Sequence, residues 1–493
     1  MKVLFIYPDL LDFHPNYPGH YYDGIGSLSA AVKACGHETA LIHIIRPITN
    51  PKSFTKQVWE HEPDLIAFSA TTLQFDIVKK IASWLKRDRP VPKICGGVHP
   101  SLMPEKTLLN TDIDMVCIGE GEDALRELCC RIEKKESFHD IPNIWVKNHQ
   151  EILKNPAFPP ESNLDGLPFS DRSVFDYQNL WWERNGTATL MASRGCPFSC
   201  TYCCNSALRK IYDKSPSTCR KRSVDRVIKE IQQIQKDYPF ITSLNFDDDI
   251  FFIDKKWARE FTAQYRKKIK LPFFCNIRPN IVDEEVAHLL KESCCSEIRI
   301  GLESGSDEIR NSVLKRKISR KQIVKACRLL QNADISVRTF NIIGFPEENP
   351  RMILETIRLN AELEIADPQY TIFYPFPGTE LYNKYLLHGF IKSKTMTNYY
   401  EESVMNLPEL SREHLQMFRI YFHHILKLYR ILLKLPTLIR SPLILVIEAI
   451  FSSRKTPVTI RKLHLLKNRL RSKPKMTKAI VSSGTTKAQH EII

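Results

Sequence analysis

The chain of 493 residues has no run of 18 uninterrupted apolar residues and so offers no candidate for a bilayer-spanning helix. Its first residues, MKVLFIYPDL, lack the charged, apolar and small-residue regions of a signal peptide. Fourteen cysteines are too few for a disulfide scaffold at this length. We therefore expect a cytoplasmic protein with reduced thiols, in which clustered cysteines indicate metal or redox sites.

Excess positive charge is almost absent from most of the chain. The net charge is +15, but residues 410–493 alone contain 17 Lys and Arg against 3 Glu, which is +14. A basic surface spread over the whole protein is thereby disfavoured, and we expect no nucleic-acid partner. The 43% hydrophobic and 26% charged residues are typical of a globular protein, and the length predicts two to four domains.

Residues 1–150 show the pattern of an α/β domain with a doubly wound, Rossmann-like parallel sheet. Five short apolar segments, beginning near residues 2, 38, 64, 93 and 114, alternate with helical patterns. No G-x-G-x-x-G follows the first strand, where Tyr7, Pro8 and Asp9 stand, so dinucleotide binding is disfavoured.

Ligands of such sheets bind beyond the carboxyl ends of the strands. The candidate binding residues there are Ser69, Thr71, Gly96, Gly97 and His99. The glycines let the backbone approach a ligand closely, and the hydroxyls and imidazole can donate to a nucleotide-like group. A simple tight turn at the glycine pair is the alternative interpretation.

This pattern resembles the cobalamin-binding domain, in which a small hydroxyl residue after the third strand and a Gly-Gly pair after the fourth flank the nucleotide tail. The family's lower-ligand motif, D-x-H-x-x-G, begins with Asp12 and His14, but Tyr17 stands at the glycine position. The resemblance therefore implies cobalamin as a cofactor without implying a histidine ligand to cobalt.

Residues 151–186 are rich in Pro and polar residues and predict an extended linker. A second βα series follows in residues 187–385, with six strands beginning near 187, 241, 271, 297, 335 and 368. This series predicts a partial, TIM-like (βα)6 barrel with catalytic groups at its carboxyl face. Residues 386–475 predict a helical C-terminal region, and residues 476–493 a disordered tail.

The strongest chemical signal is SRGCPFSCTYC, which places Cys196, Cys200 and Cys203 in C-x3-C-x2-C spacing after the first barrel strand. Three thiolates on one loop can hold three irons of a [4Fe-4S] cubane and leave the fourth iron open. A structural zinc site is the alternative, but it usually takes four ligands, and no second cysteine pair lies at suitable spacing. Cys204 is a conceivable fourth ligand, although ligands on adjacent residues strain a tetrahedral site.

The cysteine loop, its position and the aromatic Tyr202 resemble the radical S-adenosylmethionine superfamily over about residues 187–380. The resemblance implies that the open iron chelates the methionine part of S-adenosylmethionine and that the backbone of Tyr202 helps to hold adenine. It also implies Asp248, within the run Asp247–Asp249, as the acceptor for the methionine ammonium group, and Glu303 as the ribose contact.

Residues 340–347, FNIIGFPE, are similar to the family's G-x-I-x-G-x-x-E pattern at Ile342, Gly344 and Glu347, whereas Phe340 replaces the first glycine. The resemblance places Ile342 against adenine and Gly344 where the backbone must come close to it.

Three arginines, Arg278, Arg299 and Arg338, stand near the ends of the third, fourth and fifth barrel strands. Each could hold a carboxylate, but surface salt bridges are the favoured interpretation.

Together the two domains resemble the cobalamin-binding radical S-adenosylmethionine enzymes, which include anaerobic porphyrin ring cyclases and hopanoid methylases. The resemblance implies reductive cleavage of S-adenosylmethionine at the cluster to a 5′-deoxyadenosyl radical, followed by cobalamin-dependent methylation of an unactivated carbon. It further implies an electron donor such as flavodoxin or ferredoxin and a small-molecule substrate that is lipid-like or a natural-product intermediate.

Three alternatives stay open at this point. One is oxidative cyclisation or rearrangement without methyl transfer, and another is a non-enzymatic zinc-binding interaction protein. The third, methylthiolation of RNA, is disfavoured because the cysteines of the first domain do not match that family's positions.

The basic tail carries apolar residues at helical spacing, interspersed with cations. Those cations include Arg419, Lys427, Arg430, Lys434 and Arg440. One interpretation packs these helices over the barrel. The other lays a basic amphipathic segment on an anionic membrane, at its inner face.

Overall fold

The structure, a computed structural model, describes residues 1–10, 16–86, 89–109, 111–148, 151–212, 219–392 and 402–460. Asp12, His14, residues 393–401 and 461–475 of the predicted helical C-terminal region, and the tail predicted for 476–493 lie outside the described residues. The described chain forms two parallel sheets flanked by helices, followed by a helical C-terminal region.

The first sheet has seven strands in the order β2-β1-β3-β4-β5-β6-β7. The strands are β1 Lys2–Pro8, β2 Glu38–Ile44, β3 Leu65–Ser69, β4 Lys93–Gly96, β5 Met115–Cys117, β6 Ile144–Asn148 and β7 Glu151–Leu153. The first five are parallel, as predicted. The antiparallel β6 and β7 were not predicted, because both are short, at five and three residues, and no helical pattern separates them as in the parallel series. The sheet therefore continues past residue 150.

Helices cover both faces of this sheet. They are α1 Asp23–Ala34, α2 Pro51–Glu60, α3 Phe75–Leu85, α4 Val98–Leu102, α5 Pro104–Leu108 and α6 Glu122–Lys134. Two apolar clusters, one on each face, include the fully buried Phe5 and Leu4, which are consecutive residues of β1. This alternation is what a strand buried on both sides requires.

The segment 156–185 is not the extended connector that its composition predicts. It forms four short 3-10 turns, and Phe175, Tyr177 and Leu180 are buried in the core of the first domain. The buried Arg172 of this segment pairs with Glu230 of the second domain at 2.9 Å. The prediction was wrong because isolated aromatic residues in a Pro-rich stretch show no periodicity.

The second sheet has the order β15-β14-β13-β12-β11-β8 and is parallel throughout, as the predicted (βα)6 series requires. Its strands are β8 Thr187–Leu190, β11 Ser243–Phe246, β12 Phe273–Ile277, β13 Cys295–Glu303, β14 Ser336–Ile343 and β15 Gln369–Ile372. A short antiparallel ribbon, β9 Ser193–Arg194 with β10 Arg220–Lys221, stands beside the cysteine loop.

Six helices accompany the barrel strands in the described ranges. They are α7 Cys204–Leu208, α8 Val224–Asp237, α9 Lys255–Lys268, α10 Glu284–Glu292, α11 Arg320–Asn332 and α12 Pro350–Glu362. Five correspond to the helical patterns between the strands, and the short α7 after the cysteine loop was not predicted. Polar N-caps define the starts of the five longer helices, α8 to α12, as where Ser319 and Gln322 form a reciprocal capping box at α11. Apolar residues at helical spacing then turn one face of each helix to the sheet.

The C-terminal region is helical, as predicted, with α13 Glu380–Leu387, α14 Arg412–Leu433 and α15 Thr437–Ser452. Helix α14 packs Phe418, Phe422 and Ile425 into a cluster shared with α12. In contrast, α15 has no buried residue. None of the helices in the described ranges is long and apolar enough to cross a membrane.

Candidate active site

The cysteine loop follows β8 and β9 at the carboxyl face of the barrel. Gly195 takes a left-handed conformation (φ 88°) just before Cys196. The hydroxyl of Thr201 donates to the Val313 carbonyl at 2.8 Å, and that of Ser206 donates to the Cys200 carbonyl at 2.9 Å. These two hydrogen bonds tie the loop to the segment that ends at Val313 and to the start of α7.

The donor chemistry of this loop fits an iron–sulfur cubane. Within the described ranges, no three His, Cys, Asp or Glu side chains converge tightly enough to hold a single metal ion. A cubane instead takes each thiolate on a different iron, and this loop offers three thiols. Burial raises the pKa of Cys196 to about 11, so ligation there must displace a proton.

Tyr202 and Glu303, predicted as separate cofactor contacts, lie together. The Tyr202 hydroxyl donates to Glu303 Oε1 at 2.9 Å, and Arg316 donates to both, at 2.7 and 2.8 Å. Glu303 has a positive φ of 64° where the pairing of β13 with β14 shifts register after Gly301. The backbone of Glu303 is therefore strained, and the hydrogen bonds from Tyr202 and Arg316 fix its carboxylate at the barrel mouth. Sequence reasoning missed Arg316, which stands among several basic residues with no distinguishing pattern.

The two candidate carboxylates after β11 differ in environment. Asp248 is fully buried, accepts from Ala192 N at 3.1 Å and from the Ser193 hydroxyl, and has its pKa raised by burial to about 7. Asp249 is exposed and accepts from Asn205 at 2.7 Å, at the start of α7. The ammonium role of Asp248 stays a prediction, and Asp247 and Asp249 are the members of the run that are exposed.

The turn after β14 contains the predicted adenine contacts. Ile342 packs in the same apolar cluster as Tyr202, and Gly344 takes a positive φ of 90°. Its amide donates to Glu348 Oε2 at 2.5 Å, whereas Glu347, the residue matched by the sequence pattern, accepts from Lys384 and Tyr385. Burial raises the pKa of Glu348 to about 8. The sequence signal for Glu348 was hidden by the adjacent glutamate.

The five candidate residues of the first domain share one edge of its sheet. His99 stacks on Phe75 with ring centroids 4.2 Å apart, and its Nδ1 lies 3.1 Å from Thr72 Oγ1. Burial lowers the pKa of His99 to about 4, so its imidazole is neutral near pH 7. The structure thus brings together the groups that sequence analysis selected there.

This edge fits a bound cofactor. Thr71 Oγ1 and His99 Nε2 are buried polar atoms without a hydrogen-bond partner, which a ligand would supply. Gly97 has φ 102°, and a Cβ there would lie 2.8 Å from the Ala70 carbonyl oxygen and 3.2 Å from Ser69 Oγ. Glycine is therefore required for the close approach of these two loops.

The carboxyl edges of the two sheets face one another. Arg194, on β9, donates to Glu122 Oε1 at 2.7 Å, and Glu122 lies just beyond β5. The Glu120 amide donates to the Tyr212 hydroxyl at 2.8 Å. Tyr212 follows the cysteine loop, so the segment that would hold the cluster is anchored on the cofactor edge of the first domain.

The three arginines have different partners. Arg278 is 6% exposed and has no carboxylate within 4 Å in the described structure, so its interpretation as a surface salt bridge was wrong. Instead it contacts Cys200, with Nη1 3.5 Å from the sulfur. Arg299 and Arg338 each lie 3.4 Å from a carboxylate oxygen of Glu297, as salt bridges require.

Comparison with known proteins agrees with both halves of this site. Residues 190–359 match the family model described as the radical SAM superfamily, and residues 20–129 match the B12 binding domain. The chain is 27% identical over 396 residues to an uncharacterized methyltransferase of Pyrococcus horikoshii, covering 79% of this chain and 84% of that protein. It is 22% identical over 473 residues to the cytidylyl-2-hydroxyethylphosphonate methyltransferase of Streptomyces wedmorensis, covering 83% and 86%.

The fold is similar to a solved structure of TsrM, a radical S-adenosylmethionine methyltransferase from Kitasatospora setae with tryptophan substrate and a SAM analog bound. The TM-score is 0.64 at 16% identity, over 80% of this chain and 77% of that one. The similarity supports the same order of domains, with the Rossmann-like sheet before the barrel.

Proposed function

The chain belongs to the cobalamin-binding radical S-adenosylmethionine enzymes, and from this premise we propose that it methylates an unactivated carbon of a small molecule. The cofactors are a [4Fe-4S] cluster, S-adenosylmethionine and cobalamin. When bound, they supply reductive cleavage of S-adenosylmethionine and a transferable methyl group. An electron donor such as flavodoxin or ferredoxin is the expected protein partner.

The observation that carries this proposal is that the carboxyl edges of the two sheets, where the cofactors would bind, face one another. Arg194 lies two residues before Cys196 and is paired with Glu122 beyond β5. A substrate at the barrel mouth would therefore lie between the cysteine loop and the loops of Gly97 and His99. Methyl transfer needs this proximity, because the reacting carbon must meet both cofactor sites.

In this proposal the side chains of the region hold the cofactors in position, and the cofactors carry out the chemistry. Cys196, Cys200 and Cys203 would hold the cluster, and Glu303, fixed by Tyr202 and Arg316, presents a carboxylate at the mouth. In the first domain, Thr71 and neutral His99 would donate or accept hydrogen bonds with the cobalamin tail.

The test is anaerobic reconstitution with iron, sulfide and hydroxocobalamin, followed by incubation with S-adenosylmethionine carrying a deuterated methyl group, a reductant and extract from a deletion strain. We expect 5′-deoxyadenosine and one metabolite that gains the labelled methyl group. Substrate loss without label would favour oxidative cyclisation. Bound zinc without sulfide would overturn the radical chemistry altogether. The Cys200→Ala variant is the matched negative control.

We further propose that α15 binds an anionic membrane surface and that the substrate is lipid-like. One side of α15, with Ile444, Ile447 and Phe451, packs against the cluster of α12 and α14. The other side is apolar and faces outward, with Leu438 91% and Leu445 68% exposed. Lys434, Arg454 and Lys455 flank them and are exposed as well. An apolar face bordered by cations is the pattern of interfacial helices, in which each cation near anionic lipid contributes about 1 kcal/mol.

Vesicle co-sedimentation tests this contact. Wild type should sediment with anionic vesicles and stay in solution with neutral ones, and Leu438→Glu with Leu445→Glu should abolish binding. Leu387→Glu on α13 is the matched control, because Leu387 is 86% exposed but lies outside α15. Equal recovery of wild type and the double variant in the supernatant at low salt would overturn the proposal. Truncation before residue 412 is unsuitable, because it removes the packed α14.

A further inference from the structure

Arg278 is a buried cation whose surroundings lack a compensating carboxylate. It follows β12 and is 6% exposed, and no Asp or Glu of the described chain lies within 4 Å of it. An unpaired buried charge is unfavourable in a protein interior unless an anion accompanies it. The sulfur of Cys200, 3.5 Å from Nη1, is the group in contact that becomes anionic when it binds metal.

The orientation of the guanidinium is fixed on its other sides. Nε donates to Asn280 Oδ1 at 2.8 Å, and Nη2 donates to the carbonyl of Arg316. The ring of Phe198, within the cysteine loop, lies 3.7 Å from the guanidinium carbon. With two nitrogens bound and one face stacked, Nη1 is directed at Cys200.

We propose that Arg278 donates an N–H···S hydrogen bond to the Cys200 thiolate and thereby raises the reduction potential of the cluster. This inference rests on the proposed function, since it requires the cluster. Reduction adds negative charge to the cluster and its thiolates, so a buried cation and a hydrogen bond to sulfur stabilise the reduced state. Arg278 is a positioning residue, because it acts through Cys200.

The experiment is a redox titration of the reconstituted full chain followed by electron paramagnetic resonance, without substrate, S-adenosylmethionine or cobalamin. Arg278→Met and Arg278→Gln should move the midpoint potential to more negative values, and Arg278→Lys should give a smaller shift. Phe198→Leu keeps the cation but removes the aromatic ring, so its midpoint potential should also shift less than that of Arg278→Met. The matched control is Arg299→Met, because Arg299 also stacks on an aromatic ring, Phe274 at 4.2 Å, but within the described residues it has no hydrogen bond to a cysteine of the cluster loop.

An unchanged midpoint in Arg278→Met with full iron and sulfide content would overturn the proposal. If neither neutral variant assembles a cluster while Arg299→Met does, the role is structural and tuning of the potential is equally overturned. A wild-type chain that binds no iron and sulfide would instead refute the proposed function, so the two failures are distinguishable.

Discussion

The Tyr202 hydroxyl donates a 2.9 Å hydrogen bond to Glu303, which joins the last turn of the cysteine loop to the end of the fourth strand of the barrel sheet. Both residues were predicted to contact S-adenosylmethionine, but through different atoms. For Tyr202 the predicted contact is the backbone, so its side chain is available for this structural bond.

Replacing Tyr202 with Phe should therefore separate stability from binding. Loss of a buried hydrogen bond to a carboxylate is expected to lower the free energy of unfolding by about 1–3 kcal/mol. The affinity for S-adenosylmethionine, measured by equilibrium dialysis, should change little. Unchanged urea unfolding together with a large loss of affinity would show that the hydroxyl itself contacts the cofactor.

Single Ala substitutions at Cys196, Cys200 or Cys203 should each remove the cluster, since a cubane held by two thiolates is poorly retained. Mutating a residue that only contacts a metal ligand lowers activity by up to roughly 100-fold. We expect loss of a cluster ligand to lower the rate of S-adenosylmethionine cleavage by more than that. Iron and sulfide analysis with quantification of 5′-deoxyadenosine measures both effects. Cys204→Ala is the control, and it should retain cluster and cleavage. Full cluster content in Cys200→Ala would refute the assignment.

Gly97→Ala should lower cobalamin binding by more than the strain of a positive φ alone would. Gly36 is the matched control: its φ of 83° resembles the 102° of Gly97, but no heavy atom lies within 4 Å of a Cβ placed there. Ala at Gly97 costs roughly 1–3 kcal/mol of backbone strain, because φ 102° with ψ −170° is a conformation that glycine alone adopts readily. Gly97→Ala adds the clash with Ala70, so it should bind less hydroxocobalamin at unchanged iron content. Equal cobalt in both variants would argue against a tail site at this edge.

Glu348→Gln should flatten the pH dependence of stability. The pKa of Glu348 is raised from 4.5 to about 8 by burial, so the folded chain holds this proton where the unfolded chain has released it. Its contribution to stability is fully present below pH 4.5 and is lost as pH rises through about 8. Urea unfolding of the metal-free chain at several pH values should show a smaller decline for the variant than for wild type. Parallel curves would contradict this account.

The repeating architecture was predictable from sequence because parallel strands and their helices have strong periodicity. All six strands of the barrel sheet and the first five of the other sheet lie where apolar runs predict them. The cysteine loop was recognisable for another reason, which is that its ligands are adjacent in sequence.

Contacts between distant segments could not be predicted in this way. Whether Arg278 meets a carboxylate or a cysteine depends on a neighbour 78 positions away. Which of Glu347 and Glu348 accepts the hydrogen bond from the Gly344 amide depends on side-chain orientation. Two adjacent glutamates give no sequence signal for that orientation. The hairpin of β6 and β7 depends on pairing of β6 with β5, which places Ile144 and Val146 in the core.

The ion pair between Arg194 and Glu122 limits which first domains can be combined with this barrel domain. Each partner comes from a different domain, and both are largely shielded from water. A chimera that exchanges the first domain for a relative's, without an acidic residue at this place, would leave the arginine uncompensated beside the cysteine loop. The two domains are therefore coupled through this ion pair, and their junction is a poor place to cut for domain shuffling.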